Sequence, residues 1–379
     1  MPDTLATREA QPTADDSWTR REILQQPETL RATQALLLES RDRIGAFLNP
    51  LLDNPALRIV LAGAGSSSFI GQSLAPHLSQ LMRRPVEAVA TTDLVSAPHL
   101  FLDKDPPTLL ISFGRSGNSP ESLAAIALAE ARLKQVWHLI VTCNEEGGLA
   151  RLSRPNACIV VLPKATHDRG FAMTSSFTAM MYAALAIFTG FETMADRSEA
   201  IARSVSETLA KIEPRIAALA KAGFQRIVYL GSGVLEGLAR EASLKLLEMT
   251  DGDMVTFAGT PMAFRHGPKT ILTARTLVVV FLSNHALTRR YDLDVVDELR
   301  RDGNGALLVL SAQDADGDVI GVTNLDGAED IDILFPFIVP AQLLALHASL
   351  KLGLVPDQPN ASGTVSRVVK GVHIHSIEP

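Results

Sequence analysis

Arg58-Ile-Val-Leu-Ala-Gly-Ala-Gly65 returns as Arg226-Ile-Val-Tyr-Leu-Gly-Ser-Gly233, 168 positions further on. The same displacement carries Thr108-Leu-Leu-Ile-Ser-Phe113 onto Thr276-Leu-Val-Val-Val-Phe281, and Leu139-Ile-Val141 onto Leu307-Leu-Val309. Three apolar segments in register at one offset mean two copies of one domain, at a period far too long for a solenoid. In the first copy RIVLAG (58–63), TLLISF (108–113), HLIVTC (138–143) and ACIVVLP (157–163) read as strands. SSSFIGQSLAPHLSQLM and SPESLAAIALAEARLK, between them, carry helical periodicity. The second copy supplies RIVYLG, TLVVVFL, ALLVLSA and, as its last strand, DILFPFIV. Nearly continuous apolar strands separated by helices indicate a parallel sheet covered on both faces.

The expected fold class is therefore α/β, with two doubly wound parallel-sheet domains in tandem. Residues 1–50 read as an N-terminal extension and helix, 51–194 as the first domain and 195–222 as an Ala-, Glu- and Lys-rich linking helix. Residues 223–355 then form the second domain and 356–379 a Pro- and Ser-containing tail that lies over a surface. Hydrophobic residues make up 46% of the 379, which suits well-filled cores. A net charge of −7 argues against a chain built around nucleic acid or an anionic membrane surface. The N-terminus has no apolar signal-peptide core, and runs such as MMYAALAIF are too short to span a bilayer. Cys143 and Cys158 have neither metal nor redox spacing and read as buried small hydrophobes in a reducing, cytoplasmic setting.

Ligands of such sheets sit beyond the carboxyl ends of the strands, where loops enter helix N-termini. The first copy places Gly63-Ala-Gly-Ser-Ser-Ser68 and Ser112-Phe-Gly-Arg-Ser-Gly-Asn-Ser-Pro-Glu121 at two such ends. Backbone N–H groups at a helix start, joined by serine hydroxyls, cradle a phosphate. Helix capping accounts for one serine, not for this set. The second copy has Gly231-Ser-Gly-Val-Leu and Phe281-Leu-Ser-Asn-His instead, so one anion per chain is expected, in the first copy. A dinucleotide reading of GAGSSS lacks the third glycine and gives the Ser112–Glu121 loop no role.

The segment LAREASLKLLEMTDGDMVTFAGTPMAFRHGPKT (238–270) carries the acid–base chemistry. On a helix, Glu241, Lys245 and Glu248 fall on one stripe, bordered by Leu238, Ala242, Leu246 and Met249 on one side and Leu244 and Leu247 on the other. Apolar borders of this kind put the three charges in a crevice. His266 follows in a non-helical Arg-His-Gly-Pro turn. A crevice carboxylate and a loop histidine can supply a general base and a proton shuttle. An ordinary intrahelical Glu–Lys pair with a loop histidine accounts for the same residues, and the segment alone does not choose. Ser175 and Ser176 in MTSSFT likewise either contact a ligand or cap the next helix.

Taken together, Gly63–Ser68, Ser112–Glu121, the segment from Tyr229 and the tail resemble the sugar isomerase (SIS) domain family of phosphosugar-binding proteins, with its flavodoxin-like fold. The tandem arrangement is similar to the isomerase half of glucosamine-6-phosphate synthase, whose Glu-x-x-x-Lys-x-x-Glu helix and His-Gly-Pro loop are matched by Glu241, Lys245, Glu248 and His266. Arg21-Glu-Ile-Leu-Gln-Gln-Pro27 resembles the family's segment before the first domain. SFGRSGNSPES, Gly170-Phe-Ala-Met-Thr-Ser-Ser-Phe-Thr178 and FRHGPK look like the AgaS-type branch of galactosamine-6-phosphate deaminase/isomerases. The resemblance implies a 6-phosphate on Ser66, Ser67, Ser116 and Ser119, with Arg115 and Asn118 shaping the loop and Ser175 near the sugar. It implies His266 of a neighbouring subunit as ring opener, Glu248 as base, Lys245 beside it and Glu241 holding Lys245. It implies no metal or organic cofactor, and a homodimer or homotetramer. The chain shows no glutaminase domain or starting cysteine, so deamination or simple isomerisation is expected rather than synthesis. The synthase tail lysine has no direct counterpart after Asn360; Arg367 and Lys370 are the nearest cations.

Overall fold

The computed structural model describes residues 17–102, 105–313, 319–369 and 371–375. Two helices lead in: α1 (Trp18–Leu24), capped by the Ser17 hydroxyl, and α2 (Gln26–Leu52), with Pro27 in its first turn. The first copy runs β1 (Arg58–Gly63), α3 (Ser66–Met82), β2 (Val86–Ala90), α4 (Thr91–Ser96), α5 (Pro98–Phe101), β3 (Thr108–Gly114), α6 (Pro120–Arg132), β4 (Val136–Thr142) and β5 (Ala157–Val161). Two long helices follow, α7 (Ser175–Thr189) and α8 (Phe191–Lys221). The second copy runs β6 (Arg226–Gly231), α9 (Val234–Met249), β7 (Val255–Gly259), α10 (Pro261–Phe264), β8 (Thr276–Phe281), α11 (Ala286–Asp302), β9 (Ala306–Ser311) and β10 (Val319–Gly321). Helix α12 (Asp330–Lys351) closes the described helices.

Both five-stranded sheets are parallel, ordered β2-β1-β3-β4-β5 and β7-β6-β8-β9-β10. One topology thus occurs twice, as the internal repeat requires. The repeat extends to the strand–helix turns. Gly65 and Gly233 sit at φ +55° and +58°, which favours glycine at both. Gly63 and Gly231 lie where a Cβ would come within 2.5 Å of the backbone of Ser67 and Leu235. The Gly-x-Gly phrases are therefore read out as tight turns that fold α3 and α9 back on their own strands.

The copies meet through α3 and α9, which cross closely enough that a Cβ on Gly237 would stand 2.4 Å from the Ser73 hydroxyl. A single apolar cluster runs through both sheets, including Leu61, Ile111, Tyr182, Tyr229, Leu246, Phe281 and Phe337. Separate clusters fill the outer layers, around Leu110 and Ala129 in the first copy and Val228 and Val296 in the second.

The structure corrects several strand assignments. DILFPFIV is not a strand: it lies inside α12, where every residue from Ile331 to Leu346 is buried. Burial on all sides erases helical periodicity, so a continuous apolar run cannot be told from a core strand by pattern. The last strand is instead the three-residue β10 at the sheet edge. Strands β2 and β7, missed in the sequence, are also edges, short and half-exposed, and so carry a weak apolar signal. The linking helix is longer than 195–222, beginning at Phe191. Among the described residues α12 alone is long and apolar enough to cross a membrane, and 89% of its most apolar window is buried in this fold.

Candidate active site

A cleft of about 210 Å³ opens beyond the carboxyl ends of β1 and β3. Ser66 and Ser67, in the first turn of α3, line one wall. Ser116 and Ser119, leading into α6, line the next. Ser119 caps α6, accepting from the Ser122 N–H at 3.3 Å and donating to the Ser122 hydroxyl at 2.6 Å. Two helix N-termini therefore share one concavity, and each turns a positive dipole end toward it. Asn118 is placed differently: exposed, it accepts from the Gly148 N–H at 2.8 Å and braces the loop from behind.

Helix α9 brings its charged stripe to the same cleft. Glu248 lines the opening with a quarter of its side chain exposed, while Lys245 and Glu241 recede into the core at 1% and 0%. Lys245 Nζ is 2.5 Å from Glu248 Oε2 and 3.6 Å from Glu241 Oε1. Neither Glu241 oxygen has a full hydrogen bond, although Ser66 faces it from α3. Burial pushes the Glu241 carboxyl up to about 7 against the pull of Lys245. Burial works to lower the Lys245 ammonium, but Glu241 and then Glu248 outweigh it and hold it above its ordinary value. The crevice inferred from the apolar borders of this helix is present. It runs inward from the base candidate to a buried carboxyl.

The floor is the turn that precedes α7. Asp168, fully buried, accepts from the N–H groups of Thr174 and Ser176 and from the hydroxyls of Ser175 and Ser176, all at the start of α7. Ser175 is thus committed to Asp168 and Gln25 inside the protein, and the structure does not place it in the cleft. Neither the Ser175 nor the Ser176 hydroxyl caps α7: both donate to Asp168, whose carboxylate takes the Thr174 and Ser176 N–H groups in their place. Arg115 does line the cleft, but its guanidinium donates to the carbonyls of Gly170, Phe171 and Arg367 at 3.2, 2.9 and 2.9 Å. Burial, then the neighbouring Arg367, lowers it to about 10. Residues 365–369 of the tail form the remaining wall, and Arg367 donates to the carbonyls of Asp168 and Gly170. Lys370 lies outside the described residues. Sequence reasoning passed over Asp168 and Glu22, the carboxylates of this floor; an acid shortly before a hydroxyl-rich helix start was the available signal for Asp168.

His266 is elsewhere. It is exposed on the turn after α10 and does not line this chain's cleft. Its neighbours Arg265 and Lys269 both pair with Glu298 of α11, and Lys269 also pairs with Asp302, which holds the turn against the second sheet. His373 and His375 lie edge to face at 4.4 Å, and among the described residues no three His, Cys, Asp or Glu side chains gather as metal ligands. Cys143 and Cys158 are both buried, and burial raises the Cys143 thiol to about 12.

Two parallel sheets of this order with hydroxyl-rich loops at the β1 and β3 ends define an SIS-domain protein, and the SIS domain model matches residues 52–190. The chain is 47% identical to an AgaS protein of Streptomyces coelicolor over 376 residues, 96% of this chain and 97% of the relative. It is 44% identical over 377 residues to the D-galactosamine-6-phosphate deaminase AgaS of Escherichia coli, covering 96% of each. The crystal structure of tagatose-6-phosphate ketose/aldose isomerase from Escherichia coli superimposes with a TM-score of 0.89 at 40% identity, covering 98% of this chain and all of that one. The chain belongs to the AgaS-type family of galactosamine-6-phosphate deaminases and tagatose-6-phosphate isomerases.

Proposed function

We propose that this protein converts galactosamine 6-phosphate and water to tagatose 6-phosphate and ammonia. The observation that carries the reading is the opening of the Glu241–Lys245–Glu248 stripe, at Glu248, into the same cleft as the two hydroxyl-rich helix N-termini. The 6-phosphate docks on Ser66, Ser67, Ser116 and Ser119, where helix dipoles and N–H groups favour a dianion. This leaves the sugar carbons facing Glu248.

Ring opening moves a proton from O1 to O5, and His266 of a second copy performs it, since this chain's own His266 stands outside its cleft. Glu248 then removes the C2 proton of the open aldosamine and returns it to C1. The C2–N bond becomes an imine, which water hydrolyses to the ketose with release of ammonia. Lys245 neutralises Glu248 at contact distance and steadies the developing enolate-like charge. Glu241 fixes Lys245 from behind. The active unit is then at least a dimer.

Ammonia and ketose phosphate are measured after incubating the protein separately with galactosamine 6-phosphate and glucosamine 6-phosphate. Ammonia from the galacto epimer alone is the expected result. Interconversion of aldose and ketose phosphates without ammonia would replace deamination by plain isomerisation.

A further inference from the structure

The Arg21-Glu-Ile-Leu-Gln-Gln-Pro27 phrase stands far from the cleft in sequence, yet Glu22 is 3% exposed and faces the cleft floor. Its carboxylate accepts from the Arg169 N–H, and from the Gly170 N–H at 3.1 Å. The other side of the same residue, the Gly170 carbonyl, accepts from Arg115 and from Arg367, each at 3.2 Å. Gly170 has no room to shift toward α1, because a Cβ there would stand 2.7 Å from the Thr19 hydroxyl and 2.9 Å from Glu22 Oε2. Asp357 clamps α1 from the tail side, accepting from the N–H groups of Trp18 and Thr19 at 2.8 Å. Arg115 and Arg367 both line the cleft.

We infer that Glu22 is a positioning residue for ligand binding: through the Gly170 turn it sets where Arg115 and Arg367 stand against the phosphate loops. This rests on the reading that the cleft takes the 6-phosphate. The groups facing Glu22 are Asp168, Asp357, Arg115 and Arg367. Burial first, and Asp168 next, raise the Glu22 carboxyl to about 7. The carboxylate that grips the two N–H groups is therefore full-strength only above neutrality.

The test compares the full chain with its Glu22→Gln form. KM for galactosamine 6-phosphate rises about tenfold while kcat stays within about twofold, because only binding geometry is disturbed. Sulfate, whose charge does not change over the range, then serves as a calorimetric probe. The wild type binds it about tenfold tighter than E22Q near pH 8.5, and the ratio approaches one near pH 5.5, where Glu22 is neutral. Charge alone gives the opposite sign, since E22Q removes a negative group near an anion site. A ratio of one or less near pH 8.5, or a ratio independent of pH, overturns the inference. If E22Q does not fold, Glu22→Asp replaces it; this keeps the charge but withdraws it from Gly170, with the same tenfold loss expected near pH 8.5. An unchanged affinity in that variant likewise overturns the inference. Failure of the wild type to bind sulfate at all overturns the phosphate-site reading itself.

Discussion

Replacing Lys245 by methionine removes the one cation between two carboxylates while keeping most of the buried stem. In the wild type the ammonium is 3.6 Å from Glu241, whose carboxyl is completely buried and titrates at about 7. At an effective dielectric of about 20, attraction across that distance is worth roughly 5 kcal/mol, so without Lys245 Glu241 stays protonated well into alkaline solution. The wild-type group binds its proton more tightly folded than unfolded. The stabilisation from that proton is complete below the ordinary value of 4.5 and is lost as pH rises toward 7. In Lys245→Met the loss continues past 7, because the folded protein cannot give up the proton. Near pH 5.5 the two proteins hold the same neutral Glu241, so the gap there reflects the lost Lys245–Glu248 contact and not titration of Glu241. A pH near 8.5 lies about 1.5 units above the wild-type midpoint, which at about 1.4 kcal/mol per unit widens the gap by roughly 2 kcal/mol. Thermal unfolding followed by calorimetry across this range shows the gap opening by a few degrees. Adding Glu241→Gln stops the gap from widening with pH, since an amide has no proton to retain. A difference in Tm that is the same at both ends of the range would falsify this account of the buried pair.

Three further outcomes follow from the geometry. Glu248→Gln lowers ammonia release by about 10² to 10⁴, the usual cost of losing a general base, with the fold retained because an amide oxygen there still accepts from Lys245; near-full activity removes Glu248 from the role. Mixing inactive His266→Asn and Glu248→Gln proteins under subunit exchange restores up to about a quarter of wild-type activity, because half the sites in each mixed dimer are intact; no recovery means that the sites are not shared. Gly237→Ala forces α3 and α9 apart and costs about 1–3 kcal/mol in denaturant unfolding. Ser73→Ala does not rescue it, since the Ser73 backbone nitrogen would remain 2.6 Å from the new Cβ. A harmless Gly237→Ala would mean that the helix crossing is looser than it stands here.

What the sequence determined by itself was whatever is written in short-range pattern. The repeat from Arg58 and Arg226 specified two sheets of one topology, because strand apolarity and the Gly-x-Gly turn are local requirements met twice. The Glu241, Lys245, Glu248 stripe was legible because helical spacing and apolar borders together put charges in a crevice. The serine loops were legible because strand end, hydroxyls and helix start are contiguous. Tertiary structure alone decided the rest. Helix α12 is buried on every side and so carried no period to distinguish it from a strand. The seats of Ser175 beside Asp168 and of His266 outside its own cleft depend on which surfaces pack, and no residue spacing encodes that. Arg115 meets Arg367 across 252 positions, and Glu22 meets Gly170 across 148. Contacts of that range arise only when both sheets and the helices around them close on one continuous core, which draws the lead-in helix and the tail to the same peptide.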